Sequence, residues 1–163
     1  LTSGLSDPRV EIEIGDGAAY LAAQKQAFDA IIIDSTDVCE EAHEGAQTAN
    51  PLVTDAFYAD AKRALKAEGI ICQMLGSPQF YRNGMTLMFG RLQGLFTEFR
   101  PFLMPCPFYI SGDWCGGLMT DTVNLTPKYT HLRSEQLKYF NADIASGCLA
   151  LPNDVRNMMD SRR

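Results

Sequence analysis

The chain has 163 residues, 46% hydrophobic and 21% charged, which is enough apolar material for one domain with a real core and excludes a disordered chain. Its formal charge of −6, its pI near 4.8 and the lack of any basic run beyond Arg162-Arg163 argue against a nucleic-acid partner, because phosphate binding needs clustered Lys and Arg. Cysteines at 39, 72, 106, 115 and 148 show neither CxxC nor Cys/His zinc spacing, so they read as reduced cytoplasmic thiols, and no metal site is expected.

No stretch approaches a membrane span, and Leu1 to Ser6 lacks the basic and apolar regions of a signal peptide. Residues Arg9 to Ile14 set Val10, Ile12 and Ile14 against Glu11 and Glu13, which predicts a strand with one wetter face, ending in Gly15-Asp16-Gly17. A helix is expected from about Ala18 to Gln26. The run Phe28-Asp29-Ala30-Ile31-Ile32-Ile33 is short, β-branched and continuous, as suits a central parallel strand. It opens into Asp34-Ser35-Thr36-Asp37, two carboxylates three positions apart where open α/β sheets bind ligands. An Asp in that place handles a cation, or it caps a helix or makes a turn. A long polar loop from Val38 to about Pro51 follows, carrying Glu40, Glu41, His43 and Glu44, a length that in compact domains goes with function or disorder.

The next helix is predicted over Thr54 to Lys66 with Thr54 or Asp55 as N-cap, closed by Gly69 in the left-handed conformation before a strand Ile70 to Met74. A third helix covers Tyr81 to Phe96, where Met85, Met88, Phe89, Leu92 and Phe96 recur at helical spacing and read as core. The strands Glu98 to Met104 and Trp114 to Thr120, joined by a Pro- and Gly-rich turn, are expected to pair as an antiparallel hairpin at the sheet edge. The tail from Thr122 predicts irregular packing and one short helix near Asn153 to Met159. Strand and helix thus alternate toward a terminal hairpin, which argues a doubly wound α/β sheet. Such a sheet normally opens on a Gly-rich strand-to-helix turn, and none precedes Gly15. The expectation is one partial catalytic domain over residues 1–163, a Rossmann-like, methyltransferase-type sheet truncated at its amino-terminal side.

Asp7-Pro8-Arg9-Val10, Gly15-Asp16-Gly17, the Phe28 to Asp37 run, Phe57-Tyr58, Gln73, Pro107-Phe108-Tyr109-Ile110-Ser111-Gly112 and Leu137-Lys138-Tyr139-Phe140-Asn141 resemble, in that order, the catalytic domain of spermidine synthase, a polyamine aminopropyltransferase. The resemblance covers roughly Asp7 to Met159. It implies transfer of the aminopropyl group of decarboxylated S-adenosylmethionine to a diamine such as putrescine, giving spermidine and methylthioadenosine without a metal. Asp34 would be the proton acceptor. Asp37, Gln73 and Tyr109 would bind the amine, and Asp16, Gly17, Ser35 and Pro51 the nucleoside. Each has a plainer alternative: Asp16 as a turn residue, Gln73 as a strand-end polar group, Tyr109 as a packing ring.

The sequence departs from the family pattern where Val38, not Pro, follows Asp37, where the acidic loop is longer, and where only Pro51 is left to contact the nucleoside. The family's amino-terminal β-rich domain and Gly-rich turn are not seen. The resemblance therefore implies part of a site, inactive by itself, in what would be a homo-oligomer when complete. Two alternatives stand beside it, an S-adenosylmethionine-dependent methyltransferase of the same fold and a non-catalytic paralogue or regulatory subunit.

Overall fold

A computed structural model describes residues 2–35, 51–126 and 137–160. Asp37, Cys39 and the acidic residues Glu40, Glu41 and Glu44 lie outside the described residues. Helix α1 spans Gly17–Ala22, strand β1 Phe28–Ile33, helix α2 Asp55–Ala64, strand β2 Leu65–Gly76 and helix α3 Arg82–Leu95. Strands β3 (Glu98–Pro105) and β4 (Asp113–Thr120) and helices α4 (Ala142–Cys148) and α5 (Asn153–Asp160) complete the order, with 3-10 turns at Thr2–Ser6 and Pro51–Val53.

The sheet runs β1-β2-β4-β3. β1 lies parallel to β2, as its unbroken apolar run and the intervening helix require, because a parallel pair needs a crossover. β2 pairs antiparallel with β4, and β4 with β3, so the predicted hairpin is present and β3 forms the outer edge.

Several boundaries differ from expectation. The strand predicted over Arg9 to Ile14 does not form: these residues join no ladder, and Ile14 is 96% exposed. Alternating side chains supply a strand's faces, but without a neighbour they supply no hydrogen bonds. Helix α1 stops at Ala22 rather than Gln26 because the chain is drawn onto the end of α2. Gln26 takes a φ of 48°, its N–H donates to Arg63 O, and that of Ala27 donates to Ala64 O. Helix α2 starts as predicted, with the Thr54 hydroxyl accepting from Phe57 N at 3.1 Å, and ends at Ala64, where Leu65 is already extended. Gly69 therefore closes no helix and is not among the residues at positive φ. It lies inside β2, where a Cβ would come within 2.7 Å of Leu65 Cδ2, so the site demands a small residue, not a left-handed one. The tail holds a helix that was not expected, α4, whose N-cap Asn141 accepts from Ile144 N at 2.9 Å.

One face of the sheet carries the core. Ile33, Ile71, Leu75, Cys115 and Met119 meet Leu21 of α1, Phe57 and Ala61 of α2, Met85, Phe89 and Leu92 of α3 and Met158 of α5 in a single cluster. The stripe predicted on α3 is thus core, and each large side chain so buried contributes about 1.5–3 kcal/mol. Lys62 clamps three elements: its ammonium donates to Leu95 O, pairs with Asp121 at 2.7 Å and sits 4.5 Å from the centre of the Phe96 ring. Burial pushes the Asp121 carboxyl up, but the bonds from Lys62 and from the N–H of Thr97 outweigh it and hold the group below its ordinary value. On the opposite face Ile32 is 74% exposed, while Phe102 and Met74 fold over Gly116. Cys72, Cys106, Cys115 and Cys148 are free thiols.

Candidate active site

β1 ends at Ile33, in register with Gln73, while β2 runs on to Gly76. Beyond Ile33 the ladder stops, and Asp34 and Ser35 stand exposed at the open end of β1. They line a mostly apolar cleft of about 370 Å³ that runs along Ala30 to Ile33 and is walled by Gly17, Tyr20, Leu21, Phe28, Leu52 and Phe57. A carboxylate at the mouth of an apolar cleft is suited to an organic cation, whose stem the wall covers while its charge meets the acid.

Of the residues singled out in the sequence, Gly17, Asp34 and Ser35 meet in this cleft. Asp16 flanks it as the N-cap of α1, its Oδ1 accepting from Ala18 N at 2.9 Å and Ala19 N at 3.2 Å. The turn-and-cap role is therefore realised, and both bonds fall on one oxygen. Pro51 begins the 3-10 turn whose next residue, Leu52, lines the wall. Gln73 lies beneath the surface, fully buried, its Oε1 accepting from the Tyr58 hydroxyl at 2.7 Å. Its Nε2 is the one buried side-chain polar atom without a partner among the described residues. Tyr109 does not line the cleft. Its ring stacks on Trp114 at 4.4 Å and 27° in the β3–β4 turn, where Phe108 and Ile110 are each 94% exposed. Asp37 lies outside the described residues.

Two features of the site were not anticipated. Cys72 stands across from Ile32, one residue before Gln73, and its thiol is pushed up by burial and secondarily by the charge of Asp34. The period of two in a strand could have placed it on the opposite face from Gln73. The bond from Tyr58 to Gln73 spans fifteen positions, and no local pattern announces it. Among the described residues no three His, Cys, Asp or Glu side chains converge as a metal site, and no helix is long and apolar enough to cross a membrane.

The spermine/spermidine synthase domain matches residues 1–128. The polyamine aminopropyltransferase of Clostridium perfringens (strain SM101 / Type A) is 33% identical over 162 residues, 96% of this chain and 55% of the relative. That of Thermotoga maritima is 32% identical over 157 residues, 94% of this chain and 51% of the relative. Among solved structures, a spermidine synthase in complex with the transition-state analogue AdoDATO superposes with a TM-score of 0.83 at 30% identity, over 98% of this chain and 54% of that one. The Thermotoga maritima spermidine synthase gives 0.79 at 28% identity, over 98% and 52%. The fold is the mixed α/β fold of these synthases, and the chain belongs to the spermine/spermidine synthase family. Its curated relatives there are polyamine aminopropyltransferases. The chain spans about half the length of the curated relatives it matches.

Proposed function

We propose that this chain supplies the proton acceptor and one wall of the nucleoside site of an aminopropyltransferase that uses decarboxylated S-adenosylmethionine and a diamine such as putrescine. The observation that carries the reading is Asp34, exposed at the open end of a parallel strand and sharing one cleft with Gly17 and Ser35. An alkylammonium with a pKa near 10.4 has no lone pair at neutral pH and cannot attack carbon until it loses a proton. In this reading Asp34 takes that proton. The freed lone pair bonds to the aminopropyl carbon next to sulfur, and the carbon–sulfur bond breaks with its electrons returning to sulfur. The products are spermidine and methylthioadenosine. Because the sulfonium becomes a neutral thioether, the leaving group's charge is relieved by the reaction itself, and the step calls on no Lewis acid.

On the nucleoside side, Gly17 offers bare backbone to the cleft, and Asp16 has its second oxygen left to accept from the adenine amino group. Asp37 and Gln73 supply further amine contacts in this reading. The test is Asp34→Asn in the natural-length protein. Turnover is expected to fall by roughly 10²- to 10⁴-fold with methylthioadenosine affinity nearly unchanged, as for the loss of a general base. Activity within a few-fold of the parent would remove Asp34 from that role.

A further inference from the structure

We propose that Tyr58 is a positioning residue of the amine site, whose hydroxyl fixes which end of the Gln73 amide serves the substrate. This rests on the reading of Gln73 as an amine-site residue. Both side chains are fully buried, and the phenol donates to Gln73 Oε1 at 2.7 Å. The ring itself is held edge-on by Phe57, with centroids 5.7 Å apart, and by Phe96 at 5.9 Å. A glutamine side chain is nearly symmetric in shape but not in chemistry, with an acceptor at one end and two donors at the other. Without a fixed partner the two orientations exchange. With Oε1 taken by Tyr58, the N–H end is left over, and it is this end that is buried without a partner among the described residues. A buried donor left unpaired is costly, so it persists where a ligand or its hydration shell satisfies it.

The place of Gln73 supports a ligand there. It is cross-strand from Ile33, one residue before Asp34, at the end of the sheet where the cleft opens. N–H donors suit the oxygen of a water in the amine's hydration shell, or the amine nitrogen itself once Asp34 has taken its proton. The phenol touches no part of the substrate in this account and acts through Gln73 alone.

The experiment is a double-mutant cycle on the natural-length protein, titrating putrescine by calorimetry in the presence of methylthioadenosine, with thermal midpoints recorded in parallel. Tyr58→Phe keeps the ring and its two aromatic contacts and removes only the hydroxyl. It is expected to weaken putrescine binding about tenfold, the size of one hydrogen bond's worth of orientation. Gln73→Leu is expected to do the same, and the double variant no more than either. Effects of the two substitutions that multiply would overturn the proposal, since Tyr58 would then act independently of Gln73. So would an unchanged affinity in Tyr58→Phe beside a weakened Gln73→Leu, an outcome that leaves the amine-site reading standing. If Gln73→Leu binds putrescine as the parent does, or the parent binds none, the amine-site reading itself fails. In that case the Gln73 side-chain amide resonances decide the positioning role. They are expected to shift and exchange faster with water in Tyr58→Phe, and unaltered resonances would refute it.

Discussion

At the scale of single residues, the proposed function asks two jobs of the one Asp16 carboxylate. Its Oδ1 holds the first turn of α1 through Ala18 N and Ala19 N, so a simple truncation confounds folding with ligand binding. Asp16→Ala is expected to cost about 1 kcal/mol of stability, the usual worth of an N-cap, as well as nucleoside affinity. Asp16→Asn separates the two. The amide oxygen keeps the cap, so the thermal midpoint should stay near that of the parent, while the amide nitrogen now faces the adenine amino group as donor against donor. Methylthioadenosine affinity measured by calorimetry should therefore fall in both variants, and stability in Asp16→Ala alone. Equal affinity in parent and Asp16→Asn would confine Asp16 to its capping role. The sequence exposed both readings of this residue and had no means of choosing, because a cap and a ligand contact ask for the same side chain.

At the scale of elements, β4 owes its central place to Gly116 and Gly117. A Cβ at Gly116 would stand 2.3 Å from Phe102 Cζ and 2.8 Å from Met74 Cε, and one at Gly117 would meet Phe99 Cε2 at 2.7 Å. The two glycines let rings of β3 lie across their neighbour on both faces. Gly116→Ala is expected to destabilise the fold by about 1–3 kcal/mol, the range for overpacking, read as a lowered urea midpoint. The helices α2, α3 and α5 and the strands β1 to β4 were legible because each carries its own periodicity, as Met85, Met88, Phe89 and Leu92 do on α3. The missed or misplaced pieces depend on distant partners. Arg9 to Ile14 has the pattern of a strand without a ladder. The end of α1 is decided by Arg63 and Ala64, and the place of Gly69 by a register shift opposite Phe28 and Ala30. In the site, Asp34 was legible from the strand–loop rule and Gly17 and Ser35 from the family resemblance, whereas the burial of Gln73 beneath Tyr58 needed the packed structure.

At the scale of the whole molecule, β1 pairs only with β2 among the described residues, and its other edge is bare beside an Ile32 that is 74% exposed. An unpaired apolar strand edge recruits other strands, so a sample of these 163 residues by themselves is expected to self-associate, with a mass above the monomer in light scattering. Ile32→Lys should shift that mass toward the monomer, and an unchanged mass would place the contact elsewhere. The pairings also close very different lengths of chain. The β3–β4 hairpin is joined through the short turn after Pro105, β2 reaches β4 across α3, and β1 meets β2 only after the whole stretch from Asp34 to Ala64 has been gathered in. Longer closures carry a greater entropic cost and slow the search. Asp34 and its cleft depend on one of the two long closures, while Trp114, the chain's one tryptophan, stands in the short one. Its fluorescence therefore reports the arrival of the hairpin and is silent about the assembly of the cleft.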